Sequence, residues 1–330
     1  MTSISASNGS SIGASIGMNA TRLLFGTAGR IAPSAAGRLA FQLFARTANP
    51  DKVSEREKLR LKEAEAAMAE AELHYLPTRQ GISVAAFEFP ATAPARRQRY
   101  ALVLHGWRSR SEHMLAPVNA LRARGFNVVA LDLPGHGQSG GRRLTMADAV
   151  AAVAAAAFRF GPFDAIAGHS FGGAVAVNSV VGSIAGIKPV WTRRLVLIAA
   201  PSAIARVFRQ FGQYVGLGQK AQAAMEREVL RVTGRPLSHY SGGHLLKHET
   251  LPVLVVHAPD DKEVPFAEAE DYASAGRHVR LYPAHGLGHR RILSDVRVLA
   301  EIAGFADPQP QFIATNDRLA DLRITPGLVP

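Results

Sequence analysis

The residues best suited to chemistry stand in the run Gly168-His169-Ser170-Phe171-Gly172-Gly173, between the apolar segment FDAIA (163–167) and the helix-forming AVAVNSVV. A serine in a Gly-x-Ser-x-Gly turn between strand and helix is held in a strained conformation with its hydroxyl projecting at the helix N-terminus. The flanking glycines let the two segments approach closely. A serine hydroxyl is a weak nucleophile until a base removes its proton, so a histidine must reach it. Two candidates share the loop Ala284-His285-Gly286-Leu287-Gly288-His289. His289 is favoured over His285 because it follows the whole Gly-rich turn and abuts the next helix. The imidazole in turn needs a carboxylate to fix its tautomer. After the apolar run VLVVH comes Asp260-Asp261-Lys262-Glu263-Val264-Pro265. Adjacent aspartates cannot both face the histidine; Asp261 is the choice and Asp260 is left as a loop or cap residue.

Acyl transfer also requires two preorganised N–H donors for the oxyanion. Phe171, directly after the serine, supplies one. The Trp107 amide, in His105-Gly106-Trp107 after the run YALVL, is the candidate for the other. His105, Gly106, Trp107, His169 and Phe171 are the candidate pocket residues. No metal site is expected. The chain has no cysteine, His285 and His289 sit in Gly-rich loop rather than on a helix, and His239, His244 and His248 lack a carboxylate at matching spacing. No cofactor is expected either.

The elements that must position these residues alternate. Strands are predicted at 73–78, 82–89, 100–105, 126–131, 163–167, 195–199, 253–257 and 279–282, with helical stretches at 111–124, 145–160, 171–182, 265–275 and 290–304. The inner strands are continuous apolar runs, as expected where both faces are covered, and the alternation predicts a mostly parallel central sheet with helices on both faces, an α/β class. Residues 202–250 interrupt this rhythm and read as a helical lid over the site, with seven Lys/Arg against three Glu. Residues 51–72 read as a helix with Ser54 as its cap. Residues 1–50 read as a flexible, basic N-terminal arm with no acidic residue, and 305–330 as a C-terminal tail. With 330 residues, 47% hydrophobic, the chain can bury a large core, and its apolar runs are too short to span a membrane. The net charge of +12 accompanies no nucleic-acid motif, so no nucleic-acid partner is expected. The arm at 21–48 has the composition of a segment that contacts anionic membranes, which makes peripheral membrane contact an expectation to test. Without a secretory pattern, a cytoplasmic location is expected.

Over residues 73–304 the chain resembles the α/β-hydrolase superfamily. The resemblance rests on HGW at 105–107, DLPGHGQS at 132–139, GHSFGG at 168–173, DDKEVP at 260–265 and GLGH at 286–289, in that order. It implies an α/β-hydrolase fold with the lid insertion and a cofactor-free serine hydrolase of carboxylic esters. Ser170 would be the nucleophile, His289 the proton shuttle and Asp261 its orienting acid, with Asp132 and His136 structural. The chain departs from the pattern at Arg108-Ser109-Arg110, where small residues are common; these cations would suit an anionic substrate. Two alternatives stand beside a small-molecule ester substrate. One is a thioesterase or acyltransferase drawing an anionic acyl carrier to the lid cations; the other is a non-catalytic binding protein on the same fold.

Overall fold

The structure is a computed structural model that describes residues 8–49, 52–95 and 97–308. The first seven residues of the expected arm and the tail beyond 308 lie outside the described residues.

Eight strands form a single sheet: β1 (Glu72–Pro77), β2 (Ser83–Phe89), β3 (Tyr100–Leu104), β4 (Asn127–Leu131), β5 (Ala165–His169), β6 (Leu195–Ile198), β7 (Val253–His257) and β8 (Val279–Pro283). Their order is β1-β2-β4-β3-β5-β6-β7-β8. β2 pairs antiparallel with both β1 and β4, and every pair from β4 through β8 is parallel. Twelve α-helices accompany them among the described residues. Those before β3 are α1 (Asn8–Ile31), α2 (Pro33–Ala45) and α3 (Glu55–Met68). The middle ones are α4 (Leu115–Arg122), α5 (Met146–Phe160), α6 (Phe171–Val181), α7 (Ile204–Val215), α8 (Gln219–Thr233) and α9 (Gly242–Leu246). The last are α10 (Ala267–Ala273), α11 (Gly288–Arg291) and α12 (Val296–Ala306).

The period of two along each strand divides the core. Leu102, Leu104, Val129, Leu131 and Ile166 pack against α5, α6, α9 and α10 through Ala149, Val153, Val175, Leu246 and Tyr272. Ala101, Val103, Val128 and Ala130 face the opposite way, onto Met114 just before α4 and Val118 and Leu121 within it. α12 closes that same side over β6 and β7 with Val298 and Ile302. Side chains this deeply buried contribute about 1.5–3 kcal/mol each, so the strand ends are rigid mounts for whatever stands on them.

Between β6 and β7 the lid helices α7 and α8 rise, and Glu268 at the start of α10 anchors their base. Its Oε2 accepts the N–H groups of Ser202 (2.8 Å) and Ala203 (2.6 Å), while Oε1 holds Arg206 at 2.7 Å. One of the lid cations is therefore engaged structurally.

The described part of 1–50, read from composition as a flexible arm, is helical. In α2 the small residues Ala36, Gly37, Ala40 and Ala45 share a buried face with Phe41. Gly37 lies so close to α8 that a Cβ there would meet Ala221 O, Ala224 Cβ and Met225 N, each at 2.6 Å. α2 thus packs directly on the lid. Ser54 caps α3 by accepting the Glu57 N–H at 3.2 Å.

Candidate active site

β5 delivers its chain directly into the serine turn. Ser170 has φ 52° and ψ −124°, a region that costs a non-glycine residue energy and persists only where its surroundings enforce it. The enforcing contacts are backbone ones. A Cβ on Gly168 would lie 2.3 Å from Gly172 O; one on Gly172 would lie 2.5 Å from both Leu104 O and His105 O. α6 can therefore start against β3 only if position 172 carries no side chain. Gly172→Ala is expected to cost about 3 kcal/mol, because the obstacles are main-chain atoms that cannot swing aside. A urea midpoint unchanged from wild type would contradict this.

His289, at α11, and Asp261, after β7, meet across the ends of the parallel strands. His289 Nδ1 donates to Asp261 Oδ2 at 2.7 Å, so in a neutral ring Nε2 is the nitrogen able to accept a proton. Asp261 Oδ1 accepts the N–H groups of Glu263 (2.8 Å) and Val264 (2.9 Å), so the carboxylate is held at both oxygens. Burial opposes its ionisation, but the hydrogen bonds from His289, Val264 and Glu263 outweigh burial and hold its pKa below the ordinary value. Asp260 turns elsewhere, its Oδ1 accepting the Gly286 N–H at 2.8 Å and thereby steadying the histidine loop. His285 makes no comparable contact with Asp261.

Ser170 and His289 line one cavity of about 580 Å³. The Ser170 hydroxyl makes no hydrogen bond to any described residue. Trp107 and Phe171 also line the cavity, their rings edge to face at 5.8 Å. The Phe171 N–H, at the first turn of α6, has no intrahelical acceptor. The Trp107 N–H is aimed by its own peptide group. The Gly106 carbonyl accepts from His105 Nδ1 (2.7 Å) and Ser109 N (3.2 Å), and in a trans peptide the next N–H points the opposite way. Both amides are free donors among the described residues.

His105, Gly106 and His169 do not line the cavity and lie beneath it. His105 is fully buried and also accepts the Leu133 N–H through Nε2 at 2.9 Å, tying the β3 loop to the β4 loop. Gly106 is where that loop passes Ser170, since a Cβ there would lie 3.0 Å from Ser170 Cβ. His169 donates from Nε2 to the His289 carbonyl at 2.9 Å, which fixes the backbone of that residue. His136 accepts the Arg108 N–H at 3.1 Å and steadies that residue at φ 55°. Asp132 accepts the Ser111 and Gln138 N–H groups, both at 2.8 Å, binding the two loops together.

Other cavity residues carry no motif. α2 contributes Phe41, Leu43 and Phe44, and the following Arg46 lines it too; the lid contributes Phe208, Phe211 and Tyr240. Phe44 joins these walls, 4.5 Å from the Phe208 ring, 5.2 Å from Phe211 and 6.3 Å from Trp107. A usable signal was present in the sequence, in that Phe41 and Phe44 stand three apart on one helix face. Glu263 also lines the cavity, with Oε2 3.9 Å from His289 Nε2 and Oε1 3.1 Å from Arg290 Nε. Of the cavity's two arginines, Arg46 and Arg108, neither belongs to the lid, and no Lys or Arg of α7 or α8 reaches the cavity. Among the described residues, Glu72, His74 and Glu88 could approach one cation on the outer β1–β2 edge, far in sequence from this site.

The buried histidines have a consequence for pH. Burial first, and the neighbouring His289 second, depress His169 from 6.5 to about 4. A base whose folded pKa is depressed favours the unfolded chain as that chain takes up protons, so stability falls as pH drops from about 6.5 to about 4. His169 alone accounts for about 3 kcal/mol over that window. Burial lowers His105, His136 and His257 in the same direction. Asp132, raised to about 6 by burial and then by Glu112, works the opposite way over part of the range. Four histidines against one aspartate predict a urea midpoint that declines between pH 7 and pH 4.5; a flat or rising midpoint would contradict it.

The model of the alpha/beta hydrolase family matches residues 101–302, and the chain belongs to that family. Its fold is similar to Est1E from Butyrivibrio proteoclasticus (TM-score 0.55, 18% identity, covering 71% of this chain and 96% of that one). It is also similar to the Pyrococcus furiosus esterase Pf2001 (0.54, 18%, 74% and 93%). A third likeness is to the esterase RhEst1 from Rhodococcus sp. ECU1013 (0.52, 18%, 71% and 98%). Est1E is also known with ferulic acid bound. At these identities the likeness is one of fold. Comparison with curated protein sequences gives no match.

Proposed function

We propose that this protein is a serine hydrolase of carboxylic esters with an apolar acyl group. The observation that carries the reading is the 2.7 Å bond from His289 Nδ1 to Asp261, with His289 and the strained Ser170 lining the same cavity. Ser170 Oγ attacks the ester carbonyl carbon while Nε2 takes its proton. The Trp107 and Phe171 N–H groups receive the oxyanion. Nε2 returns the proton to the departing alkoxide, leaving an ester on Ser170. Water, deprotonated by Nε2, then attacks that acyl group and restores the serine.

The lid gives no support to the thioester of an anionic carrier over an ester. The lid turns Ile204, Val207, Phe208 and Phe211 toward the reacting centre and keeps its lysines and arginines off it. The aromatic wall around Phe44 suits an acyl chain of intermediate length. The esterase neighbours agree with this class of substrate, at the level of fold. Among the described residues no helix is long and apolar enough to cross a membrane.

Hydrolysis of p-nitrophenyl acetate, butyrate, octanoate and palmitate by wild type and Ser170→Ala tests the reading. Turnover that peaks at butyrate or octanoate and disappears in the variant is expected. A folded wild type inert toward all four would overturn it.

A further inference from the structure

The N-terminal helices present a surface with no counterpart elsewhere among the described residues. In α1, Phe25 and Gly29 turn inward, while Leu23 (73% exposed), Leu24 (62%) and Ile31 (80%) turn out. At 100° per residue Leu24 and Ile31 fall within about 20° of each other and Leu23 about 80° to one side, so they form one outward stripe. In α2 the outward residues are Leu39 (52%) and Leu43 (40%). No other stretch of the described chain as short exposes as many large aliphatic side chains. A folded chain does not ordinarily leave such a set to water unless something covers it.

The charges carried by residues 8–49 are all of one sign. Arg22, Arg30, Arg38 and Arg46 are exposed on or next to the same helices, and no Asp or Glu precedes Asp51. Aliphatic side chains flanked by arginines, with no acid among them, complement a bilayer surface rich in anionic headgroups. The leucines enter the acyl boundary while the guanidinium groups meet phosphates. The net charge of +12 draws the whole molecule to such a surface.

The position of the stripe relative to the cavity turns binding into delivery. Leu43 and Arg46 lie on the exposed side of α2 or directly after it, and both also line the cavity that holds Ser170 and His289. Arg108, at the same cavity, adds a second cation beside the reacting centre. A surface seated on α1 and α2 would therefore border the cavity entrance. An ester could pass its acyl chain between Leu43 and the Phe44 wall while its headgroup stayed beside Arg46 and Arg108.

We propose that α1 and α2 form a docking face for anionic lipid bilayers and that the ester cleaved at Ser170 is lipid-borne. The second half rests on the hydrolase reading above; the first does not.

Full-length protein is sedimented with phosphatidylcholine vesicles lacking or containing about 30% phosphatidylglycerol, at low and high salt, and p-nitrophenyl butyrate turnover is read in the same samples. The expected result is at least about tenfold more protein pelleted by the anionic vesicles at low salt, a difference that salt erodes. The variants Leu24→Glu/Ile31→Glu/Leu39→Glu and Arg30→Glu/Arg38→Glu should each lose that partitioning. Both should keep butyrate turnover, which also reports that they are folded, since none of these residues lines the cavity. The proposal fails if the full chain stays in the supernatant, if neutral vesicles pellet it equally, or if both variants pellet as wild type does. Absence of butyrate turnover in wild type would instead count against the hydrolase reading, with the pelleting result still deciding the docking face.

Discussion

Ser170→Ala is expected to lower kcat/KM for the preferred p-nitrophenyl ester by about five orders of magnitude while leaving the folded protein as stable as wild type. The kinetic part follows from losing the atom that, in the proposed mechanism, forms the covalent intermediate. What survives is the contribution of the oxyanion donors and of binding, which in serine hydrolases leaves a residual rate well above that in water. The stability part follows from the surroundings. Alanine keeps the Cβ that already tolerates φ 52°, and the hydroxyl it removes has no hydrogen-bond partner among the described residues to leave unsatisfied. KM should change little, because a small hydroxyl adds little to ground-state binding in a cavity of about 580 Å³. His289→Ala should lose nearly as much, and the double variant no more than either, since nucleophile and base act as one unit. Retention of more than a tenth of wild-type activity in Ser170→Ala would place the nucleophile elsewhere.

How far this site can be read from residues alone depends on where the constraint lies. The serine turn is legible because its requirement is local: Gly168 and Gly172 touch backbone within a few residues or on the adjacent strand, and only glycine fits there. The parallel sheet is legible because strands covered on both faces must be apolar throughout, as VLVVH and YALVL are. The separate fates of Asp260 and Asp261 follow from the single turn after β7 that sends one carboxylate to the Gly286 amide and the other to His289.

Side-chain direction at strand ends is less legible. His105 and His169 stand within two residues of Trp107 and Ser170 in sequence, yet both turn away from the cavity and hold backbone there, because neighbouring residues at the end of a strand leave it in opposite directions. The contribution of α2 is the least legible. Its buried face is built from Ala36, Gly37, Ala40 and Ala45, small residues that produce a weak hydrophobic period. They are buried for a non-local reason, the close approach of α8, which lies almost two hundred residues further along the chain. Composition registers the arginines and leucines of that segment but not the helix that receives it, so the Phe41–Phe44 wall of the cavity emerges only from the fold.

Asp261→Asn is expected to reduce kcat by three to four orders of magnitude through a change of tautomer with almost no change in shape. The Oδ1 position accepts two backbone N–H groups, from Glu263 and Val264. An asparagine that placed its NH₂ there would set donor against donor twice, so its carbonyl oxygen must take that place and its NH₂ must take the place of Oδ2. That NH₂ then faces His289 Nδ1, now 2.7 Å from a carboxylate oxygen, and can bond to it only if Nδ1 is unprotonated. The ring proton moves to Nε2, and Nε2 can no longer accept the proton of Ser170. The histidine stays where it is, because His169 still bonds its carbonyl from below. Binding should be nearly unchanged, so the loss falls on kcat and leaves KM within a few-fold. Asp260→Asn provides the comparison. Its oxygen can still accept the Gly286 N–H, it does not touch His289, and its kcat should stay within about threefold of wild type, the scale of a retained neutral hydrogen bond. A large loss in Asp260→Asn with a small one in Asp261→Asn would reverse the assignment of the acid. Equal, small losses in both would show that His289 holds its tautomer without a carboxylate, and Asp261 would lose its part as the orienting acid.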